Sequence, residues 1–384
     1  MKKLLFLALV LGGASFNAFA DYPESEAHGE EHATEAHADG DAEESTFNAG
    51  EMIMHHIADA HEIHFLTTGN GKDVAISLPI ILLGDNGLEV FSSSHFYHGE
   101  EIHLEKGHGF AYDDKYVMID EVIYNYAADG HHGIKTDESG AIINSRPIDF
   151  SITKTVVGLL LTTIILLWIM ISVGRAYKRK GHKEAPSGLQ SLIEPLIVFV
   201  EDQVIIPSIG SREKAAKFTP FLLTVFFFIW IANLLGLMSF LGGYNVMGSM
   251  GVTLVLAFFV LIITNINGNK HYWKHIFWPD GVPLPIKFIL VPIEAVQILL
   301  KPTVLMIRLT ANITAGHIII LAFTALIFIF GQSGVGAGIG VGIGSTIFMV
   351  FMFFIELLVA FLQAYVFTLL SSLYFGSAVE DAHH

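Results

Sequence analysis

Apart from Lys287, which stands at the start of one of them, five ionisable residues lie inside the two longest apolar stretches of the chain, where charge is costly. They are Glu294, Lys301, Arg308, His317 and Glu356. An ionisable side chain near the middle of a bilayer costs about 2.5 kcal/mol or more, so such residues usually serve a function. Glu and His exchange protons, whereas Arg stays charged in proteins. We therefore expect this set to combine proton transfer with a fixed positive charge.

The spacing of these residues predicts how helices present them. Glu294, Lys301 and Arg308 are seven residues apart in turn and so lie near one helical face, although Pro302 can distort that stripe. Asn312 follows Arg308 by one turn and stays on its side. Nine residues at about 100° each place His317 on the opposite face. The spacing thus separates a permanent cation from a titratable imidazole.

The last apolar stretch carries the acid that complements the imidazole. Glu356 and Gln363 are seven residues apart and share a face. If the two helices pack antiparallel, His317 and Glu356 can form a path for protons. The competing interpretation is a buried Glu–His pair that only joins two helices. Arg308 argues against it, because it stands midway along its stretch, out of easy reach of the membrane surface.

The elements that position these residues are predicted to be membrane helices. The chain is 52% hydrophobic and 15% charged, with a mean hydropathy of +0.56, which is typical of an all-α polytopic membrane protein. Spans are predicted at about 155–173, 218–241, 249–267, 286–327 and 345–377, with an interfacial helix at 188–209. The last two spans are long, so we expect a strongly tilted hairpin, with the glycine-rich run 331–344 as its turn.

The amino-terminal part differs from the rest of the chain in composition and charge. Residues 1–20 have the pattern of a secretory signal peptide. Residues 21–150 hold 27 acidic and 5 basic residues, against 10 and 14 in the membrane domain, 151–384. Within them, 21–50 is predicted to be a disordered, His-rich leader and 51–150 a periplasmic region that is β-rich at 73–145. Basic residues after the first span predict a periplasmic amino terminus and a cytoplasmic carboxyl terminus in the inner membrane.

Cysteine is absent, which excludes disulfides, thiolate metal sites and thiol catalysis. Metal binding by the histidines of residues 21–150 stays open beside the simpler interpretation of a solvated segment. The histidines concerned are His55, His56, His61 and His64, whose spacing suits one face of a helix.

Three segments resemble subunit a of the F-type ATP synthase. They are PIEAVQ (292–297), KPTVLMIRLTANITAGH (301–317) and ELLVAFLQAYVFTLLSSLY (356–374), with Asn233 in IANLLGLM as weaker support. The resemblance runs from about Met52 to the carboxyl terminus. It implies a hairpin against a ring of c subunits, with Arg308 facing the ring carboxylate and Asn312 and Gln363 beside it. One departure is Gly236, where some relatives have a carboxylate.

The resemblance implies a non-catalytic stator subunit that couples proton flow to ring rotation and ATP synthesis. Protons would pass Asn233, His317, Glu356 and Gln363 on the periplasmic side and leave near Glu294 and Lys301. The implied partners are the c ring, the b stalk, other ATP synthase subunits and lipid, with no cofactor, metal or nucleic acid. A secondary cation/proton antiporter and a membrane-anchored metal sensor are the alternatives. The residues leave H⁺ and Na⁺ open as the ion.

Overall fold

The computed structural model describes residues 50, 53, 58–67, 73–84, 87–97, 99–104, 107–128, 130–137, 142–180, 185–238, 243–279, 281–332 and 334–380. The predicted signal peptide, nearly all of the leader, and His55 and His56 lie outside these ranges. Contacts divide the chain into two compact units. One contains the strands up to Lys154 and the segment His317–Met352. The other contains Thr155–Met238, Gly243–Gly316 and the chain from Phe353 onwards.

Among the described residues, nine strands form three antiparallel sheets, which we call the β region. The strands are β1 Glu62–Thr67, β2 Asp73–Ser77, β3 Pro79–Gly84, β4 Gly87–Ser92, β5 Glu100–Leu104, β6 Gly107–Tyr112, β7 Tyr116–Ile119, β8 Val122–Asn125 and β9 Ile148–Asp149, with the short helix α1 Ser94–Tyr97 after β4. They pair in the orders β1-β2, β4-β3-β9 and β5-β6-β7-β8. The strands extend beyond 73–145 at both ends.

Strand β7 is the centre of the β region because both of its faces are buried. Tyr116 and Met118 join one apolar cluster, whereas Val117 and Ile119 join a second. The first cluster also contains Ile80, Leu82, Phe96 and Ile123, and the second contains Ile102, Tyr124 and Ile134. Successive side chains of a strand point to opposite faces, so β7 packs against both clusters at once.

A buried ionic group ties the start of the β region to its last strand. His61 is 2% exposed; its Nδ1 lies 3.2 Å from Oε2 of Glu121 and its Nε2 3.8 Å from Oδ2 of Asp149. The hydroxyl of Tyr97 donates to the same Glu121 carboxylate at 2.9 Å. Burial by itself lowers the pKa of His61, but the attraction of Asp149 and Glu121 outweighs burial and raises that pKa to about 9. His61 is therefore protonated at neutral pH.

The rest of the described chain is helical. It contains α2 Lys154–Lys180, α3 Leu189–Phe199, a π-helical segment Val200–Ile205, α4 Ile206–Ile209, α5 Arg212–Leu237, α6 Met250–Asn267, α7 Lys270–Phe277, α8 Leu284–Gln332 and α9 Val335–Val379. Five of these helices, α2, α5, α6, α8 and α9, are long and apolar enough to cross a membrane. Together with the small β region, they confirm the predicted polytopic fold.

Helices α8 and α9 are much longer than a bilayer requires. They contain 49 and 45 residues, and a straight helix of 49 residues is about 74 Å long, against a hydrocarbon core of about 30 Å. Both helices must therefore be strongly inclined or bent within a membrane, and Pro292 and Pro302 stand inside α8.

The turn between α8 and α9 is shorter than the sequence predicts. The glycine-rich run 331–344 is expected to be a turn, but α8 continues to Gln332 and α9 begins at Val335. Gly334, with φ of +136°, is the described turn residue. Glycines continue the helix here because an apolar environment leaves backbone groups no partner except each other.

Candidate functional site

A first set of polar side chains lies between α5 and α9; we call it the Glu356 group, comprising Asn233, Glu356 and Gln363. All three are buried, with exposures of 4%, 8% and 7%. The amide of Asn233 donates from Nδ2 to the carbonyl of Ala360 at 3.3 Å. Ala360 stands four residues after Glu356 and three before Gln363, so one helical face of α9 meets Asn233. The structure therefore brings these three predicted site residues together.

Helix α8 touches the Glu356 group at a glycine. A Cβ added to Gly316 would collide with Oε1 of Glu356 and would lie 3.1 Å from its Cδ. The carboxylate thus occupies the space that any larger residue at position 316 would fill. His317, the next residue of α8, is half-buried. The sequence offered no signal for Gly316, because its role depends on a side chain forty residues away.

The Glu356 group has unused hydrogen-bonding capacity. Within the described part of the chain, Oε2 of Glu356 and Oδ1 of Asn233 are buried and accept no hydrogen bond. A buried polar atom normally has a partner, so these two atoms have the capacity to accept a hydrogen bond or, at Glu356, a proton.

A second set, the Lys301 group, surrounds a cavity between α6, α7, α8 and α9. The cavity is small and in part open to solvent, and its polar lining consists of Thr264, Asn265, Tyr272, Lys301, Tyr374 and Ser377. Nζ of Lys301 lies 5.8 Å from the centre of the Tyr374 ring, a favourable position for a cation. Of these residues, sequence reasoning identified only Lys301.

Glu294 acts on the same cavity electrostatically. Burial raises the pKa of Tyr272, and the negative charge of Glu294 raises it further. Glu294 and Lys301, seven residues apart on α8, therefore both act at the Lys301 group. Glu294 does not line the cavity, so Lys301 is the one of these two residues that borders it. Tyr272 and Tyr374 were missed because nothing in their local sequence indicates their proximity to α8.

Arg308 lies on a different face of α8 from the packed one. Pro302, Leu305 and Leu309 are buried, and Oγ1 of Thr310 lies 2.7 Å from Oγ1 of Thr253 on α6. Arg308 is instead exposed. The exposed residues around it are Val304, Ile307, Ala311, Asn312 and Ala315. Within the described ranges no carboxylate forms an ion pair with Arg308.

Position along α8 relates Arg308 to both groups. Arg308 follows Lys301 by seven residues, about 10.5 Å of helix, and precedes Gly316 by eight, about 12 Å. The arginine is therefore midway between the Lys301 group and the contact of α8 with Glu356. The structure does not gather the predicted residues into one site; it places the buried Glu356 group on one side of an exposed arginine and the half-buried Lys301 group on the other.

A metal centre is not among the features that the described residues form. No set of three His, Cys, Asp or Glu side chains within them is placed to hold an ion. His64 lies in strand β1, so a helical arrangement of the histidines does not extend to it.

Comparisons with known proteins cover both polar groups. A family model described as "ATP synthase A chain" matches residues 156–376, and one described as "Domain of unknown function (DUF8433)" matches residues 52–150. The chain is 41% identical over 242 residues to "ATP synthase subunit a 2" of Chlorobaculum tepidum. The aligned region covers 61% of this chain and 66% of that protein. It is 35% identical over 320 residues to "ATP synthase subunit a 2" of Prosthecochloris aestuarii. Here the aligned region covers 81% of this chain and 93% of that protein.

Proposed function

Because the chain belongs to the ATP synthase A chain family, a family of polytopic membrane proteins, we propose that it is the stator subunit that carries protons through the membrane sector of a rotary ATP synthase. The observation that carries the proposal is the exposure of Arg308 on an apolar helix, midway between the buried Glu356 group and the half-buried Lys301 group. Each group would serve as one half of an interrupted proton path. Arg308 would stand at the interruption.

The exposure of Arg308 requires a partner of opposite charge. An arginine on the surface of a membrane helix is costly unless it is paired, and the described chain supplies no carboxylate for it. The neighbouring Ala311, Asn312 and Ala315 are small or polar, so another helix can approach closely there. A carboxylate on a ring of c subunits fits this surface, and the b stalk would hold the chain against rotation.

The two polar groups then have separate roles. On the periplasmic side, Asn233, Glu356 and Gln363, with His317 beside Gly316, would pass protons to the ring carboxylate. A neutralised carboxylate can cross lipid, whereas a charged one cannot at reasonable cost. After the ring has turned, the proton would leave through the Lys301 group near Glu294. Arg308 cannot be deprotonated, so it would block a direct leak and pair with the ionised carboxylate.

This assignment makes the chain a non-catalytic part of the complex. One elementary charge crossing the membrane supplies about 2.3 kcal/mol per 100 mV, so several protons must act together for each ATP. Nucleotide chemistry would belong to other subunits. The orientation is supported by the end of α2, where Arg175, Lys178, Arg179 and Lys180 favour the cytoplasm. The amino terminus would then be periplasmic and the carboxyl terminus cytoplasmic, in the inner membrane.

The test is ATP-driven acidification of inverted membrane vesicles by complexes that carry Arg308→Gln. We expect acidification to fall by roughly 100-fold or more, because loss of one partner of a desolvated charge pair costs about 3–5 kcal/mol. Arg212→Gln is the matched control. Arg212 is exposed at the start of α5, and its Nη2 lies 3.2 Å from Oδ1 of Asp202. Complexes with this variant should pump normally.

Both variants are compared at equal amounts of assembled complex. Normal, uncoupler-sensitive pumping by Arg308→Gln would refute the role of this arginine. In that case the antiporter alternative would have to be examined by measuring cation-driven proton movement in the purified chain.

A further inference from the structure

One face of the three-stranded sheet is apolar and exposed to solvent. Leu83 pairs with Leu88 on one side and with Ile148 on the other, and Ile81 pairs with Val90. Directly opposite residues share a face of a sheet. The amide of Phe150 continues this pairing by donating to the carbonyl of Ile81 at 2.9 Å. We call this the apolar sheet face; its members are Ile81, Leu83, Leu88, Val90, Ile148 and Phe150.

The exposure of this face is large. Leu88, Val90, Ile148 and Phe150 are 65%, 61%, 58% and 63% exposed, and Leu83 is 41% exposed. Adjacent large apolar side chains at such exposure are unusual on a water-facing surface and indicate an interaction site.

The charged residues of the same strands lie on the other face. Glu89 and Asp149 both pair with Leu82, whose side chain is fully buried. Glu89 contacts Lys115, and Asp149 lies near His61. An antiparallel sheet usually buries its apolar face and exposes a polar one. Here Glu89 and Asp149 contact other groups of the β region, and the described residues of the outer face carry no charge.

The path of the chain limits what can cover this face. The amide of Ile152 donates to the carbonyl of Pro79 at 3.1 Å, and that of Lys154 to the carbonyl of Ala60 at 2.9 Å. The chain is therefore hydrogen-bonded to the β region up to the first residue of the membrane helix α2. Four residues extend at most about 14 Å, so Phe150 lies within that distance of the start of the span.

We propose that the apolar sheet face binds the lipid surface of the membrane next to the start of α2. The face is close enough to reach the interface, and its aliphatic and aromatic side chains are suited to the boundary between headgroups and acyl chains. It carries no basic residue, so anionic lipid is not required. This role concerns the part of the chain that matches a domain of unknown function, and it does not depend on proton transport.

The absence of cysteine from the chain allows a direct test. Single cysteines are introduced at Ile148 and at Leu88, and each full-length variant is labelled with an environment-sensitive fluorophore. The variants are placed singly in phosphatidylcholine nanodiscs, and quenching by iodide is compared with quenching by lipids spin-labelled near the headgroup. Ile143→Cys is the matched control. Ile143 is 59% exposed, like Ile148, but lies outside the three-stranded sheet.

We expect labels at 148 and 88 to be quenched by the lipid probe and to be severalfold less sensitive to iodide than the control label. Equal sensitivity to iodide at all three positions would overturn the proposal, because the face would then be in water. Shielding from both quenchers would also overturn it, since protein would then cover the face. The two positions lie on different strands, so if a label disturbs the structure at one position, the other label still measures the environment of the face.

Discussion

Enlarging Gly316 by one methyl group tests the contact between α8 and Glu356. In Gly316→Ala the new Cβ collides with Oε1 of Glu356 and lies 3.1 Å from Cδ and 3.4 Å from Cγ. Because the carboxylate is the end of a flexible side chain, it should move away from position 316 while the helices stay in place. Overpacking of this kind costs about 1–3 kcal/mol. If this free energy destabilises the position of the Glu356 side chain that proton transport requires, the rate of pumping should decrease by about 5-fold to 150-fold.

The assay is ATP-driven acidification in inverted vesicles, normalised to assembled complex, within a double-mutant cycle. Glu356→Asp shortens the acid by one methylene, so the double variant Gly316→Ala with Glu356→Asp should pump faster than the two single effects predict. Gly174→Ala is the control, since nothing lies within 4 Å of a Cβ at that position in α2. Wild-type pumping by Gly316→Ala, or simple additivity in the cycle, would contradict the proposed contact.

Two further predictions concern stability. The pKa of His61 is about 9 in the folded protein and 6.5 in the unfolded chain, so its contribution to the free energy of unfolding is complete below pH 6.5 and is lost as the pH rises through 9. Pulse proteolysis of the β region should therefore show that the free energy of unfolding falls by up to about 3 kcal/mol between pH 7 and 10. This fall should be absent in His61→Gln. A pH-independent wild type would refute this. Gly334→Ala forces an L residue to a φ of +136° and should destabilise the purified chain by about 1–3 kcal/mol, measured by thermal unfolding, whereas Gly340→Ala meets open space and should not. Equal unfolding temperatures would contradict the constraint at the turn.

The sequence predicts the five membrane helices well because long apolar runs can satisfy their backbone groups only as helices. It predicts their ends less well. Helix α2 continues seven residues past 173 into a basic segment, since Arg and Lys are good helix formers and do not end a helix. The run 331–344 is misread as a turn because glycine is a helix breaker in water, whereas most of this run is helical here.

Some features of the site can also be predicted from the sequence, whereas others cannot. Spacing alone places Glu356 and Gln363 on one face, and in the structure Asn233 donates to the carbonyl of Ala360, which stands between them on α9. The contact of Gly316 with Glu356 and the position of Lys301 over Tyr374 depend on tertiary packing, which no spacing rule contains. Strand β1 was missed because the spacing of the histidines before and within EIHFLT was taken to indicate a helix, although Glu62 to Phe65 alternate between polar and apolar residues.

Helix α8 carries the Lys301 group, Arg308 and the Gly316 contact on one continuous rod, and this limits which changes of length it can accept. A residue inserted between 301 and 316 would advance one end by about 1.5 Å and turn it by about 100° relative to the other. No local adjustment of a side chain can compensate for such a rotation. Over this stretch, α8 should therefore accept neither insertions nor deletions.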